Sequence, residues 1–240
     1  MKAKKIKAWY FAPPGKKLGY GDNRKIVVGR THKVKFPFTD ERGSVYEKPT
    51  CCYAGLHASI KPRDALEYAR SSLVYRVELS GVMDVASDKI AATERTYLWG
   101  YDAGPVLRMF ARMCALDVAH LWDAPDFVVQ YLKTGDESLR ADAKAAAMDV
   151  AMAAAMAAAM DESLMDATWD AAWAASRAAA ADAKAAAWAA AMAESLMDAA
   201  WAAAEASVRA TAWAAVRAAA MEKQNRRLYR MLMEGFDECL

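Results

Sequence analysis

The sequence predicts an α+β fold. A mostly antiparallel N-terminal sheet module precedes an alanine-rich helical region built as an antiparallel hairpin or bundle. Three observations carry this reading. Residues 1–100 form short β-rich runs broken by Pro and Gly. Residues 104–134 change to helical spacing. No Gly or Pro occurs between Gly135 and Gly235, and more than half of residues 141–220 are Ala, the best helix former. The implied domains are an α+β head at 1–102, connecting helices at 103–135 and an alanine-rich helical domain at 136–240.

Within the head, "IKAWYFA", "KIVVGR" and "CCYAGLHAS" read as strands, punctuated by Pro13, Pro14, Gly15 and "GYGDN". "KPRDALEYARSS" reads as a short helix with Ala65, Leu66 and Ala69 on one face. "LVYRVELSG" alternates as a strand does, followed by "VMDVASD" and "KIAATERTYLWG". Pro105 opens a helix whose apolar residues are Val106, Met109, Phe110, Met113, Leu116 and Val118, and "APDFVVQYLKTG" is a second helix closing at Gly135.

In the alanine-rich region, "MDESLMDATW" at 160–169 recurs as "MAESLMDAAW" at 192–201, a repeat of 32 residues. Ser163 with Asp166, Ser195 with Asp198, and Thr134 with Glu137 have capping-box spacing, predicting helix starts and three helices near 137–160, 164–192 and 196–233. The alternative is one rod exceeding roughly 130 Å at 1.5 Å per residue. Charges form stripes (Asp166, Asp170, Arg177, Lys184) flanked by Trp169, Trp173 and Trp188, and the opposite faces are small residues such as Ala175 and Ala179. Such faces allow close helix packing and make these helices a candidate scaffold or homo-oligomer surface.

The formal net charge is +2, but its distribution is uneven. Residues 1–50 hold 13 Lys/Arg against 4 Asp/Glu, whereas residues 137–220 hold 6 against 11. A basic front is compatible with an anion or nucleic acid; a solvated lysine-rich terminus is the plainer reading, so nucleic acid is not favoured. The cysteines, Cys51, Cys52, Cys114 and Cys239, form no disulfide framework or CxxC, which points to a reducing cytosol. Cys51, Cys52 and His57 suit no common zinc spacing, so no metal is assigned. "MKAKKIKAWYFAPP" lacks the apolar stretch of a signal peptide, and the uncharged run at 150–160 is too short to span a bilayer, so no membrane partner is expected.

Three stretches, "CCYAGLHASIKPRDALEYA", "VYRVELSGVMDVASDKIAATERTYL" and "CALDVAHLWDAPDFVVQYLKTGDESLRADA", resemble a group of uncharacterised bacteriophage and prophage proteins. Those proteins end in alanine-rich repeats and a basic "QNRRL"-type tail, here "KQNRRLYRMLMEGF". The resemblance spans nearly the whole chain. It implies a phage protein in the bacterial host cytoplasm and brings no activity with it. Members often carry His in the first strand, where this chain has Tyr10. Gly55, His57, Ser59, Ala65, Tyr68 and the Val77–Leu79 strand are also similar to the middle of ADP-ribosyltransferase-like folds. Matched that way, Ser59 and Tyr68 line a nicotinamide pocket and Glu94 is its carboxylate.

The leading expectation is a non-enzymatic phage accessory protein whose head binds a host partner or a small anionic ligand. The candidate ligand-binding residues are Tyr10, His57, Ser59, Tyr68, Lys89, Glu94 and Arg95. They supply an aromatic wall, an anion-neutralising base and a hydrogen-bonding rim. No catalytic residue or cofactor is assigned. A transferase-like enzyme is one alternative. Nucleic-acid binding, aided by a basic-aromatic patch of Arg76, Lys89, Arg95, Tyr10 and Trp9, is the other.

Overall fold

The computed structural model describes residues 5–18, 22–119, 124–143, 145–146 and 214–239. It is a mixed α+β protein. The head is organised by a long antiparallel hairpin, β6 (Leu73–Val85) and β7 (Ile90–Asp102), which turns at Ser87–Asp88. Alternating β-branched and aromatic residues favour these strands, whose side chains point successively to opposite faces. On one side β6 pairs with β1 (Ile6–Phe11); on the other, β7 pairs with β2 (Thr31–Lys33) and β5 (Leu56–Ala58), all antiparallel. Phe38–Thr39 and Val45–Tyr46 form a separate two-stranded ribbon, β3 and β4. Ser59, just past β5, exchanges two backbone hydrogen bonds with Trp9 of β1 (2.7 and 3.0 Å). This end of the sheet therefore curls back on its first strand. Helix α1 (Pro62–Glu67) follows, with proline in its first turn as expected from its sequence.

Two irregularities shape the hairpin, at Arg76/Val77 and Ser80/Met83. At the second, Gly81 has φ +80, and Thr93 Oγ1 occupies the place of its missing Cβ while accepting the Val82 N–H (3.1 Å). Near the first, Gly100 faces Tyr75, whose ring carbon would lie 2.3 Å from an added Cβ. Tyr75 is itself buried edge-on against Tyr97 (5.6 Å) and has no room to yield. Gly100→Ala is accordingly expected to destabilise the protein by about 1–3 kcal/mol. Chemical denaturation measures this, and an unchanged midpoint would show that Tyr75 can move.

One side of the sheet packs Ala8, Tyr75, Val77, Leu79 and Tyr97 with Leu18 and Ile26. Elsewhere the sheet receives the end of the last described helix, α4 (Ala214–Asp237). Leu228 and Leu232 are fully buried, Trp99 stacks on Phe236 (4.3 Å), and the Tyr101 hydroxyl donates to the Leu232 carbonyl (2.8 Å). By compactness, Leu228–Leu240 groups with Met1–Gly104.

The second compact unit is Pro105–Arg227. Within it, helix α2 (Gly104–Val118) buries Leu107, Phe110 and Cys114. Asp117 accepts from Lys223 (3.2 Å) and from both terminal nitrogens of Arg227 (2.8 and 3.1 Å). Helix α3 (Asp126–Thr134) ends at Gly135, whose left-handed φ of +71 closes it through Gly135 N–H to Tyr131 O (2.8 Å).

Two local expectations are corrected. "KIVVGR" is not a strand: Val27 and Val28 are exposed, the chain turns there, and only its last residues, Gly29 and Arg30, hydrogen-bond to Tyr97 of β7 (2.7 and 3.1 Å), ahead of the β2 ladder that starts at Thr31. The cap before residue 137 is Asp136, which accepts from Ser138 N–H (2.9 Å), and not Thr134. The repeated Ser-x-x-Asp boxes, the charge stripes and the alanine faces lie outside the described residues. Among the described residues no helix is long and apolar enough to cross a membrane.

Candidate functional site

The most unusual chemistry in the head is a buried cation. Arg95 lies on β7 opposite His32 of β2 and Leu79 of β6, and is 2% exposed. Its Nε and Nη2 both donate to the Tyr97 hydroxyl (3.0 and 2.8 Å), and Nη1 donates to the His57 carbonyl. The guanidinium carbon sits 3.7 Å from the Tyr10 ring centroid and 5.2 Å from that of Tyr97. No ion pair to Arg95 occurs among the described residues. Burying a charge is costly unless it is paired, and cation–π contacts return only about 2 kcal/mol when desolvated.

His32 completes this cluster. It is 2% exposed, and its Nδ1 lies 3.3 Å from the Tyr97 hydroxyl. That oxygen already accepts two N–H groups from Arg95. Its single proton is therefore directed at Nδ1, which places the imidazole proton on Nε2. Nε2 is buried and has no hydrogen-bond partner among the described residues. Burial holds the His32 pKa below its ordinary value, reinforced by the charges of Arg24, Arg95 and Arg30. Arg24 is itself neutralised by Asp22 (2.6 Å). Burial pushes the Tyr97 phenol up, so it remains a neutral donor. The result is a guanidinium with no ion pair and an N–H donor with no acceptor among the described residues.

A second cluster lies at the end of β5, immediately after Ser59. Ile60, Lys61, Asp64 and residues 86–90 line a cleft of about 100 Å³. At its edge the Tyr68 hydroxyl donates to Asp88, while Lys89 Nζ donates to Tyr68 (2.8 Å) and lies 4.0 Å from its ring centroid. The Asp88 carboxyl is held low by the Tyr68 hydrogen bond. Burial opposes the charge on Lys89, but hydrogen bonds to Tyr68 and Cys52 outweigh it and hold the ammonium pKa above its usual value.

His57 is half-buried between these clusters, and its Nε2 also lacks a hydrogen-bond partner among the described residues. Burial lowers its pKa, as do the charges of Arg95 and Lys89. Both histidines are thus neutral in the fold, with pKa values below the unfolded value of 6.5. Their contribution is fully present above that value and is lost as pH falls through their folded pKa values. Thermal stability is expected to fall between pH 7 and pH 5, and less steeply in the His32→Gln/His57→Gln double variant. Equal slopes would show that neither histidine governs this window.

The expected site residues therefore divide. Tyr10 and Arg95 stack, with the His57 backbone on the same guanidinium. Tyr68 and Lys89 form the cleft edge, and Ser59 is buried beside it. Glu94 stands apart. As Arg95's neighbour it points to the opposite face, where it pairs with Lys33 (2.7 Å) and accepts from Ser80 (3.0 Å). Five residues of extended strand place it about 16 Å from Lys89 along the backbone. His57, Ser59, Tyr68 and Glu94 do not converge on one pocket. Nor do Arg76, Lys89 and Arg95 make one exposed patch: Arg76 lies over the buried Trp9 (4.7 Å) and Arg95 over Tyr10. No group of three or more metal-ligating side chains occurs among the described residues.

Sequence reasoning missed Tyr97, His32 and Asp88. Tyr97 was detectable, since it follows Arg95 by two residues on an alternating strand. His32 was hidden by the misplacement of the preceding strand.

A family model described as a domain of unknown function, DUF7666, matches residues 29–109. The match includes His32, His57, Tyr68, Lys89, Arg95 and Tyr97, and leaves Tyr10 outside. No curated protein and no solved structure is detectably similar to the chain.

Proposed function

We propose that the head is a non-catalytic binding module for a small anionic ligand, centred on Arg95 with His32, Tyr97 and Tyr10. The observation that carries this reading is the buried guanidinium with no ion pair among the described residues. A phosphate or carboxylate group would give Arg95, already hydrogen-bonded to Tyr97 and the His57 carbonyl, the counter-charge it lacks among the described residues, and would accept from His32 Nε2–H. The setting of a phage accessory protein in the bacterial host cytoplasm rests on the sequence resemblance, as does the use of the alanine-rich helices as scaffold or oligomer surface. The transferase alternative would need the Glu94 carboxylate beside Tyr68 and His57, and that carboxylate is engaged by Lys33 and Ser80 instead.

A ligand that binds only the folded state raises stability, by about 2.7 kcal/mol at 100 times its Kd. Inorganic phosphate is therefore expected to raise the melting temperature above that in sodium chloride of equal ionic strength. Superimposable melting curves in the two salts would overturn the proposal.

A further inference from the structure

A separate feature lies beside the cleft, in the turn Thr50–Tyr53. The Tyr53 N–H donates to the Thr50 carbonyl (3.1 Å), and the chain is tied again between Thr50 and Ala54 (2.8 and 2.9 Å). Cys51 and Cys52 are the two central residues. Cys52 has φ +73, the conformation that a type II turn requires at this position and that usually selects Gly or Asn. A thiol here occupies a backbone position that ordinarily excludes it.

The two sulfurs have different surroundings. Cys52 is exposed, and Lys89 hydrogen-bonds to its side chain, setting a cation against the sulfur. Cys51 is partly shielded: its N–H donates to Asp84 Oδ2 (2.8 Å), and its Sγ donates to the Asp84 carbonyl (3.3 Å). Burial raises the Cys51 pKa, keeping this second sulfur a protonated thiol.

We propose that Cys51 and Cys52 form a thiol-modification site for hydroperoxides, with Cys52 as the attacking sulfur and Cys51 as the resolving one. The Cys52 thiol gives up its proton to solvent as its sulfur attacks the terminal peroxide oxygen. The O–O bond breaks, Cys52 becomes a sulfenic acid, and the leaving alkoxide or hydroxide takes a proton from solvent. The Cys51 sulfur then displaces the sulfenic hydroxyl, which leaves as water after taking up the thiol proton, and a disulfide forms between adjacent residues. One peroxide is reduced for each pair of thiols oxidised.

Neighbouring Cα atoms are about 3.8 Å apart across a trans peptide, whereas disulfides usually span about 4.4–6.8 Å. The product is therefore strained and readily reduced, as suits a reversible modification. It also removes the Cys51 thiol proton, and with it the hydrogen bond to Asp84 O, leaving the Cys51 N–H bond to Asp84 Oδ2 as the tie to the β6–β7 hairpin. This inference stands independently of the anion site.

The test is peptide mass mapping of the full-length protein after equimolar hydrogen peroxide and alkylation. The expected product is one peptide in which Cys51 and Cys52 together lose two hydrogens and resist alkylation until dithiothreitol is added. Cys239, also exposed, serves as the internal comparison and should remain mostly alkylatable at that dose. In Cys51→Ser, Cys52 should stop at a sulfenic acid trapped by dimedone; in Cys52→Ser, Cys51 should stay reduced. Oxidation of Cys239 as fast as Cys52, or Cys52 linked to a second chain in place of Cys51, would overturn the proposal. Circular dichroism of each variant separates loss of fold from loss of reactivity.

Discussion

Trp9→Ala is expected to lower the unfolding free energy by about 3–5 kcal/mol, the range for removing a large buried aromatic. Trp9 is 0% exposed and forms a junction between sheet and helix. Its ring meets the edges of Trp99 (5.6 Å) and Tyr229 (5.5 Å), and Arg76 lies over it. Its backbone also carries the bridge to Ser59. Truncation would leave a cavity that cannot readily collapse, because strand pairing fixes Trp9 between neighbours. Trp9→Phe keeps most of the volume and should lose much less. Urea denaturation of both variants checks this; a Trp9→Ala loss under about 1 kcal/mol would mean that the end of α4 contributes little to the head.

The second large effect concerns binding. Arg95→Met is expected to weaken phosphate binding by about 10- to 150-fold, corresponding to the loss of a hydrogen-bonded charge. The stability of the unliganded protein should change much less. Methionine removes the desolvation cost of a buried cation, offsetting the donors lost from Tyr97 and the His57 carbonyl. Arg95→Lys keeps the charge but not the planar fork, and should retain only part of the affinity. Titration calorimetry with phosphate separates these outcomes, while melting curves without ligand report the fold. A Met variant with unchanged affinity would place any anion elsewhere.

The elements legible in the sequence were those whose signals are local. Alternation in "LVYRVELSG" and "KIAATERTYLWG" marked the long hairpin, while Pro105 and Gly135 bounded the two connecting helices. What could not be read depended on distant partners. Val27 and Val28 have strand propensity, yet the chain turns there and only from Gly29 onward does the backbone bond to β7. The tail "KQNRRLYRMLMEGF" reads as more of the alanine-rich helix. Its Leu228, Leu232 and Phe236, one helical turn apart, are instead buried or stacked on head residues. The candidate site was legible by residue type but not by grouping. Strand alternation separates Glu94 from Arg95, although both are charged and adjacent, and β2 brings in His32 from 63 residues away.

The anion site is tested most directly by the Arg95 Nε–Hε resonance in a nitrogen-15 spectrum of the full-length protein, assigned by its disappearance in Arg95→Lys. Pyrophosphate is predicted to move that resonance along a saturating curve, while sodium chloride of matched ionic strength leaves it in place. A resonance that does not respond to pyrophosphate, or responds equally to both salts, would contradict an anion site at Arg95.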